Sequence, residues 1–196
     1  MLVKEVMTRD LVTVTRDTTV KKALILLDAH HITSMPVLNG HDRIVGVVSE
    51  ADLIRDLVAA DPRAHEVPLQ EDRRDRPAVV ADVMSPHAVT VHPDTELAVA
   101  VELITSTSVK SVPVVDDHDV VVGMVSRSDV VRTLARSDED LESRVDATLA
   151  SAGLRDWYAE VHDGTVDLNG PDGSEDATVA RILAATVPGV LEVRVT

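Results

Sequence analysis

Two serine–aspartate pairs are the groups in this sequence best placed to do chemistry. Ser49 is followed three residues on by Asp52, and Ser126 by Asp129. Each pair stands where an apolar run gives way to a helical pattern. A helix start offers free backbone amides and the positive end of the helix dipole, which suits a phosphate. A carboxylate beside it can accept two hydrogen bonds from a ribose diol. The second copy is the better equipped: Ser126 and Ser128 can donate to phosphate, Asp129 can hold the ribose, and Arg127 is adjacent. Lys110 lies three residues before Pro113, at the start of the neighbouring strand. Its counterpart in the first copy is the uncharged Thr33, and Ala51 stands where the second copy has Ser128. The two sites are therefore expected to differ in affinity for phosphate. The same spacing also has a purely structural reading. In a capping box the serine accepts from the aspartate's amide while the carboxylate reaches back to the serine's amide, and no ligand is needed. Spacing alone leaves both readings open.

The elements that position these pairs are themselves written twice. A shift of 77 residues, taking Gly46 to Gly123, also aligns Met7 with Met84, Thr13 with Thr90, Thr18 with Thr95, Pro36 with Pro113 and Asp52 with Asp129, without a gap. In the first copy the pattern predicts a short strand near 11–15 and a helix capped by Asp17 or Thr18. A strand over 35–38, a turn over 39–42 and a continuous apolar strand over 44–48, expected to be buried on both faces, come next. A second helix from Ser49 carries Leu53, Ile54, Leu57 and Val58. The second copy predicts strands at 89–91, 112–115 and 120–125, and helices from Thr95 to about Ser106 and from Ser126 to about Ala135. Each copy reads β-α-β-β-α, a three-stranded sheet with two helices on one face. That is too little to bury alone, so the copies are expected to pack together about a pseudo-twofold axis. The fold class is α/β (α+β), divided into repeat 1 (1–60), a charged, proline-punctuated linker (61–77), repeat 2 (78–136) and a third segment (137–196).

That third segment reads α-β-β-α-β. An acidic helix from Asp138 to about Ala152 places Leu141, Val145 and Leu149 on one face. A hairpin turns at Asp163-Gly164, a strong two-residue turn signal. A helix from Ser174 to about Val187 ends at Pro188-Gly189, and a strand over 190–195 closes the chain. The segment holds four basic and thirteen acidic residues, so it supplies nine of the chain's fifteen net negative charges.

Composition narrows the function classes. Apolar residues make up 44% of the 196, but there is no Phe, one Trp and one Tyr, so the core must be aliphatic and base stacking on an aromatic platform is disfavoured. A charge of −15 repels nucleic acid and anionic membranes, while a small phosphate ligand can still bind a local cluster of donors. The absence of Cys removes disulfides, thiol catalysis and Cys-based zinc sites. No apolar run reaches 18 residues and residues 1–20 lack a signal-peptide pattern, so the expected location is the cytoplasm.

The duplicated landmarks resemble a tandem of CBS domains, the Bateman module, over roughly residues 1–136. The resemblance implies an adenosine-type ligand (AMP, ADP, ATP or S-adenosylmethionine) in a cleft that mixes the lead-in of one repeat with the Ser-x-x-Asp of the other. By position, one cleft uses Thr8, the backbone around Val12, Ile32 and Thr33, then Lys110, Ser126, Ser128 and Asp129. A weaker one uses Ser85, the backbone around Val89, Val109 and Lys110, then Thr33, Ser49 and Asp52. The family also implies a homodimer. The C-terminal segment is similar to a BON domain, through its element order and the stretches 161–170 and 187–193. Such domains are associated with lipid or envelope-protein contact. Here the acidity and the missing export signal favour a protein partner over anionic lipid.

Other clusters read as structural. His30 and His31 are neighbours on a helix, pointing about 100° apart, and suit a helix C-terminus better than a metal. His87, His92 and His118 lack ligand spacing, and Asp116, Asp117 and Asp119 lack the glycine and terminal Glu of an EF-hand loop. The basic run 73–76 is offset by Glu71, Asp72 and Asp75. No nucleophile–base pair, paired catalytic carboxylates or Gly-rich phosphate loop is present, so neither catalysis nor a metal cofactor is expected.

Overall fold

A computed structural model describes residues 1–55, 77–107, 109–171 and 176–195. In order, the elements are β1 (Val14–Thr15), α1 (Val20–His30), β2 (Ser34–Leu38), β3 (Ile44–Ser49), α2 (Glu50–Ile54), β4 (Ser85–Pro86), α3 (Leu97–Ser106), β5 (Ser111–Val115), β6 (Val121–Ser126), α4 (Arg127–Leu134), α5 (Asp138–Ser151), β7 (Tyr158–His162), β8 (Thr165–Asn169), α6 (Ala177–Thr186) and β9 (Glu192–Val195). The mixed α/β class is as expected. Most of the charged linker, with Leu57, Val58 and Ser174, lies outside the described residues.

The chain divides into two compact units. One holds Met1–Met7, Asp94–Ser108 and Val125–Thr196, and the other Thr8–Pro93 and Val109–Met124. This division cuts across the repeats because each repeat's lead-in segment docks on the other repeat. In one unit, Val3 N donates to Thr95 O and Leu97 N to Met1 O. In the other, the contacts 77 residues on occur with roles reversed: Val80 N donates to Thr18 O and Val20 N to Ala78 O. The bridges Leu2–Glu96 and Thr19–Val79 form a second such couple. Within the Thr8–Pro93 unit, equivalent residues also touch each other. The Ser34 and Ser111 hydroxyls are hydrogen-bonded, and Arg43 is bridged to Val120. Reciprocal and self-related contacts of this kind are what a twofold relation between copies produces.

The first sheet has the order β1-β2-β3-β4, with β1 parallel to β2 and the other pairs antiparallel. It has four strands, not three, because β4 belongs to the second copy. The register Gly46↔Pro86 and Val47↔Ser85 brings the two backbones so close that a Cβ on Gly46 would lie 2.6 Å from Ser85 O. In the same unit Thr8 is bridged to Met124, the mirror of Val47–Ser85. The core beneath is aliphatic: Val14, Val20, Ala23, Leu27, Met35, Val37, Val48, Leu53, Val80 and Met84. Three expectations are corrected. β3 is not buried on both faces; Gly46 and Val48 are buried while its other residues are half-buried. The strand expected at 89–91 is reduced to one bridge, Val91 with Val114. α1 is capped by Thr19, whose hydroxyl accepts from Lys22 N, because the Thr18 hydroxyl is used by Thr15 N.

The C-terminal segment takes the expected α-β-β-α-β order, with a sheet β7-β8-β9. α5 opens on Ser137, whose hydroxyl accepts from Asp140 N. The β7–β8 turn has positive φ at Asp163 (48°) and Gly164 (74°), the geometry of a tight two-residue hairpin. Asp138 clamps it, accepting from Asp163 N and Gly164 N at 2.9 Å each. The Gly164 bond, then the Asp163 bond, hold its carboxyl below the usual Asp range. Val145, Leu149, Trp157, Ala159, Val166, Leu168, Ala180, Ala184 and Val187 form the core. α6 begins at Ala177, with Asp176 before it.

Candidate ligand site

Each Ser-x-x-Asp forms a complete capping box. In the second copy, Ser126 N and Ser126 Oγ both donate to Asp129 Oδ2, at 2.9 and 2.5 Å, while Asp129 N donates back to Ser126 Oγ at 3.3 Å. In the first copy, Ser49 N and Oγ donate to Asp52 Oδ2 at 3.0 and 2.7 Å, and Asp52 N returns to Ser49 Oγ at 3.3 Å. The structural reading of the motif is thus physically present in both copies. The boxes form because each serine ends a strand with extended backbone, so its side chain faces the first helical turn.

The box uses one carboxylate oxygen of each aspartate, and the environments of the other differ. Asp129 is buried, 6% exposed, and its Oδ1 lies 3.2 Å from Arg132, one turn along α4. Asp52 is half-buried, and its Oδ1 is 3.9 Å from Arg55. A ligand hydroxyl approaching Asp129 has to displace or share a guanidinium, whereas Asp52 meets a longer, looser pair. Ser128 is exposed and its hydroxyl bonds Ser126 Oγ at 2.8 Å. Arg127, which the sequence places near phosphate, donates to Ile104 O at 2.9 Å, so it ties α4 to α3.

The residues assigned from sequence distribute unevenly between the units. Ser126, Ser128 and Asp129 belong to one; Thr8, Val12, Ile32, Thr33 and Lys110 belong to the other. The second set (Ser85, Val89, Val109, Lys110, Thr33, Ser49 and Asp52) falls entirely within the Thr8–Pro93 unit. There, β4 lays Ser85 against Val47, two residues before Ser49. Thr33 O accepts from Glu50 N at 3.0 Å, tying the start of β2 to the start of α2. The Lys110 ammonium is ion-paired with Glu50. Glu50 was missed in the sequence, because its importance depends on a partner 60 residues away. Val89 and Val109 are 57% and 40% exposed, while Val12 and Ile32 are half-buried.

The neighbouring turns are twins as well. Asn39 Oδ1 accepts from His41 N and Arg43 N, and Asp116 Oδ1 from His118 N and Val120 N. The His118 and Val120 amides, in that order, lower the Asp116 pKa. Among the described residues no group of three or more His, Cys, Asp or Glu is arranged to hold a metal, and no helix is long and apolar enough to cross a membrane.

Residues 3–59 and 80–136 match the family model for the CBS domain. A CBS domain-containing protein of Dictyostelium discoideum is 31% identical over 140 residues, 69% of this chain and 92% of that protein. The inosine-5'-monophosphate dehydrogenase of Methanocaldococcus jannaschii is 28% identical over 128 residues, of which the chain spans 22% of the enzyme's length. Among solved structures, the CBS-pair protein CBSX2 from Arabidopsis thaliana has a TM-score of 0.55 at 32% identity, covering 67% of this chain and 92% of that one. CBSX2 has also been solved in complex with AMP; that structure has a TM-score of 0.53 at 30% identity, covering 67% and 93%.

Proposed function

Because the chain belongs to the CBS domain family, we propose that it is a regulatory protein, not an enzyme, whose repeats bind an adenine nucleotide or a related adenosyl ligand. The observation that carries this reading is the exchange of lead-in segments. It sets Ser85 beside the strand that ends at Ser49, so residues from both repeats meet at one Ser-x-x-Asp. The AMP complex of CBSX2 supports the ligand class. Asp52 and Asp129 would hold the ribose through the oxygen their capping boxes leave over. Lys110 would release Glu50 to meet phosphate, and the exposed Val89 and Val109 would cover adenine. Titration calorimetry with AMP, ATP and S-adenosylmethionine tests this on the parent, Asp52→Ala and Asp129→Ala. Binding unaffected by both substitutions refutes the assignment.

Ligand binding would act on a partner through the C-terminal segment, which we read as a BON-like contact domain. Such switching requires different ligand affinities in two conformations. A homodimer through the repeats is supported by equivalent apolar residues left in the open, Ile54 on α2 at 52% and Val131 on α4 at 63% exposed. A second reading, a scaffold whose repeats hold no nucleotide, is favoured by the Asp129 carboxylate being engaged by Ser126 and Arg132. A thermal-shift screen in which no adenosyl ligand stabilises the chain selects it.

A further inference from the structure

β9 is an edge strand. It pairs with β8 on one side, in parallel register Thr165↔Glu192 to Leu168↔Val195, and no strand among the described residues pairs with its other side. Just before the ladder begins, Leu191 N donates to Gly164 O. Thr165 pairs with His162 across the two-residue turn and Ala159 N is turned away to Asp146, so Val166 and Leu168 direct their amides and carbonyls at β9. A parallel strand bonds the neighbours of its Cα partner, so Glu192 and Arg194 face β8, while the amides and carbonyls of Val193 and Val195 face outward. On the sheet face, Glu192 and Arg194 are neighbours, with Arg194 donating from Nε at 3.1 Å and from Nη2 at 2.8 Å to the Glu192 carboxylate. Beside the edge, Ile182, Ala185, Val190, Leu191 and Val193 line a groove of about 420 Å³, in which Ile182 is 55% and Leu191 65% exposed.

We propose that this edge pairs with itself: two copies of the chain join antiparallel through Glu192–Val195, about a twofold at Val193. The register follows from backbone and charge together. Centring on Val193 sets Glu192 opposite the partner's Arg194 and Arg194 opposite the partner's Glu192. Val193, whose backbone groups face outward, then exchanges both hydrogen bonds with its own copy, and the Glu192–Arg194 couples flank it as non-hydrogen-bonded pairs, whose side chains lie closer. The side chains then form an alternating square of two carboxylates and two guanidinium groups. Centring on Glu192 or on Arg194 sets like charges face to face, which is unfavourable. The edge is thus self-complementary in one register, as an interface between identical chains must be. The exposed Leu191 and Ile182 continue it as an apolar flank. This inference does not depend on the ligand reading.

The full chain tests it. Arg194→Glu puts four carboxylates together and should weaken association about tenfold in sedimentation equilibrium. Glu192→Arg combined with Arg194→Glu restores opposite charges and should restore the assembly. Unchanged Trp157 fluorescence checks that each variant is folded. An Arg194→Glu chain that sediments as the parent does overturns the proposal, as does failure of the double exchange to restore the assembly. An independent variant is Val193→Cys. Directly opposed residues of a hydrogen-bonded antiparallel pair have Cα atoms about 5.5 Å apart, within disulfide range. The natural chain has no cysteine. Mild oxidation should therefore give a disulfide-linked dimer well ahead of a Ser151→Cys control, and equal rates for the two overturn the proposal.

Discussion

A double-mutant cycle at Ser126 and Asp129 separates the structural work of this motif from any ligand role. Ser126→Ala removes the acceptor of Asp129 N, a capping loss of about 1 kcal/mol. Asp129→Ala removes the acceptor of Ser126 N and Oγ at a buried position, which costs about 1–3 kcal/mol. For a chain of this length each kcal/mol lowers Tm by roughly 2–4 °C. The two side chains hold each other, so the double variant should be less destabilised than the sum of the singles, by about 1 kcal/mol. The assay is thermal unfolding with and without AMP. At a hundredfold excess over Kd, AMP adds about 2.7 kcal/mol, a rise of roughly 5–11 °C. Ser126→Ala should retain most of that rise and Asp129→Ala should lose more than half. Additive single effects refute the reciprocal box. An AMP shift equal in Asp129→Ala and the parent refutes the ribose contact and leaves Asp129 as a cap alone.

Lys110→Ala should weaken ATP binding more than adenosine binding in calorimetry; equal losses remove Lys110 from the phosphate contacts. Gly46→Ala forces a Cβ to 2.6 Å from Ser85 O, a backbone atom, and should destabilise the chain by about 1–3 kcal/mol in urea unfolding; a neutral result would mean that β4 is not held against β3. Asp138 has its pKa depressed by the Gly164 and Asp163 amides. Its contribution is therefore present above the ordinary Asp range, about pH 3.9, and is lost as pH falls through the depressed value. Asp138→Asn should flatten the acid limb of stability monitored by Trp157 fluorescence, and an unchanged limb removes Asp138 from the account.

Local features were legible in the sequence, and features made by distant partners were not. The capping boxes, the Asp163-Gly164 turn and the acidic helix are defined by neighbours within four residues, so their physics is written where they stand. The cap of α1 was misplaced because three hydroxyl or carboxyl residues precede it and a turn at Thr15 claims Thr18. The strand expected at 89–91 shrank to one bridge, while Ser85 and Pro86, with no strand signal of their own, pair on β3 because that strand lies open to them. α3 starts two residues late, with the Thr95 carbonyl occupied by Val3 N. The Glu50–Lys110 pair was invisible for the same reason.

The traded lead-in segments also bear on how the molecule is made. While the chain is being synthesised, repeat 1 has no β4, and the α1 amide at Val20 waits for the carbonyl of Ala78. At about 5–20 residues per second, the stretch between the end of repeat 1 and Pro86 takes on the order of seconds to emerge. Through that interval the nascent sheet carries an open margin over an aliphatic interior, a surface a chaperone can recognise. Neither repeat, expressed by itself, would possess the lead-in contacts that the other supplies, so a gene fragment cut between them should yield insoluble product.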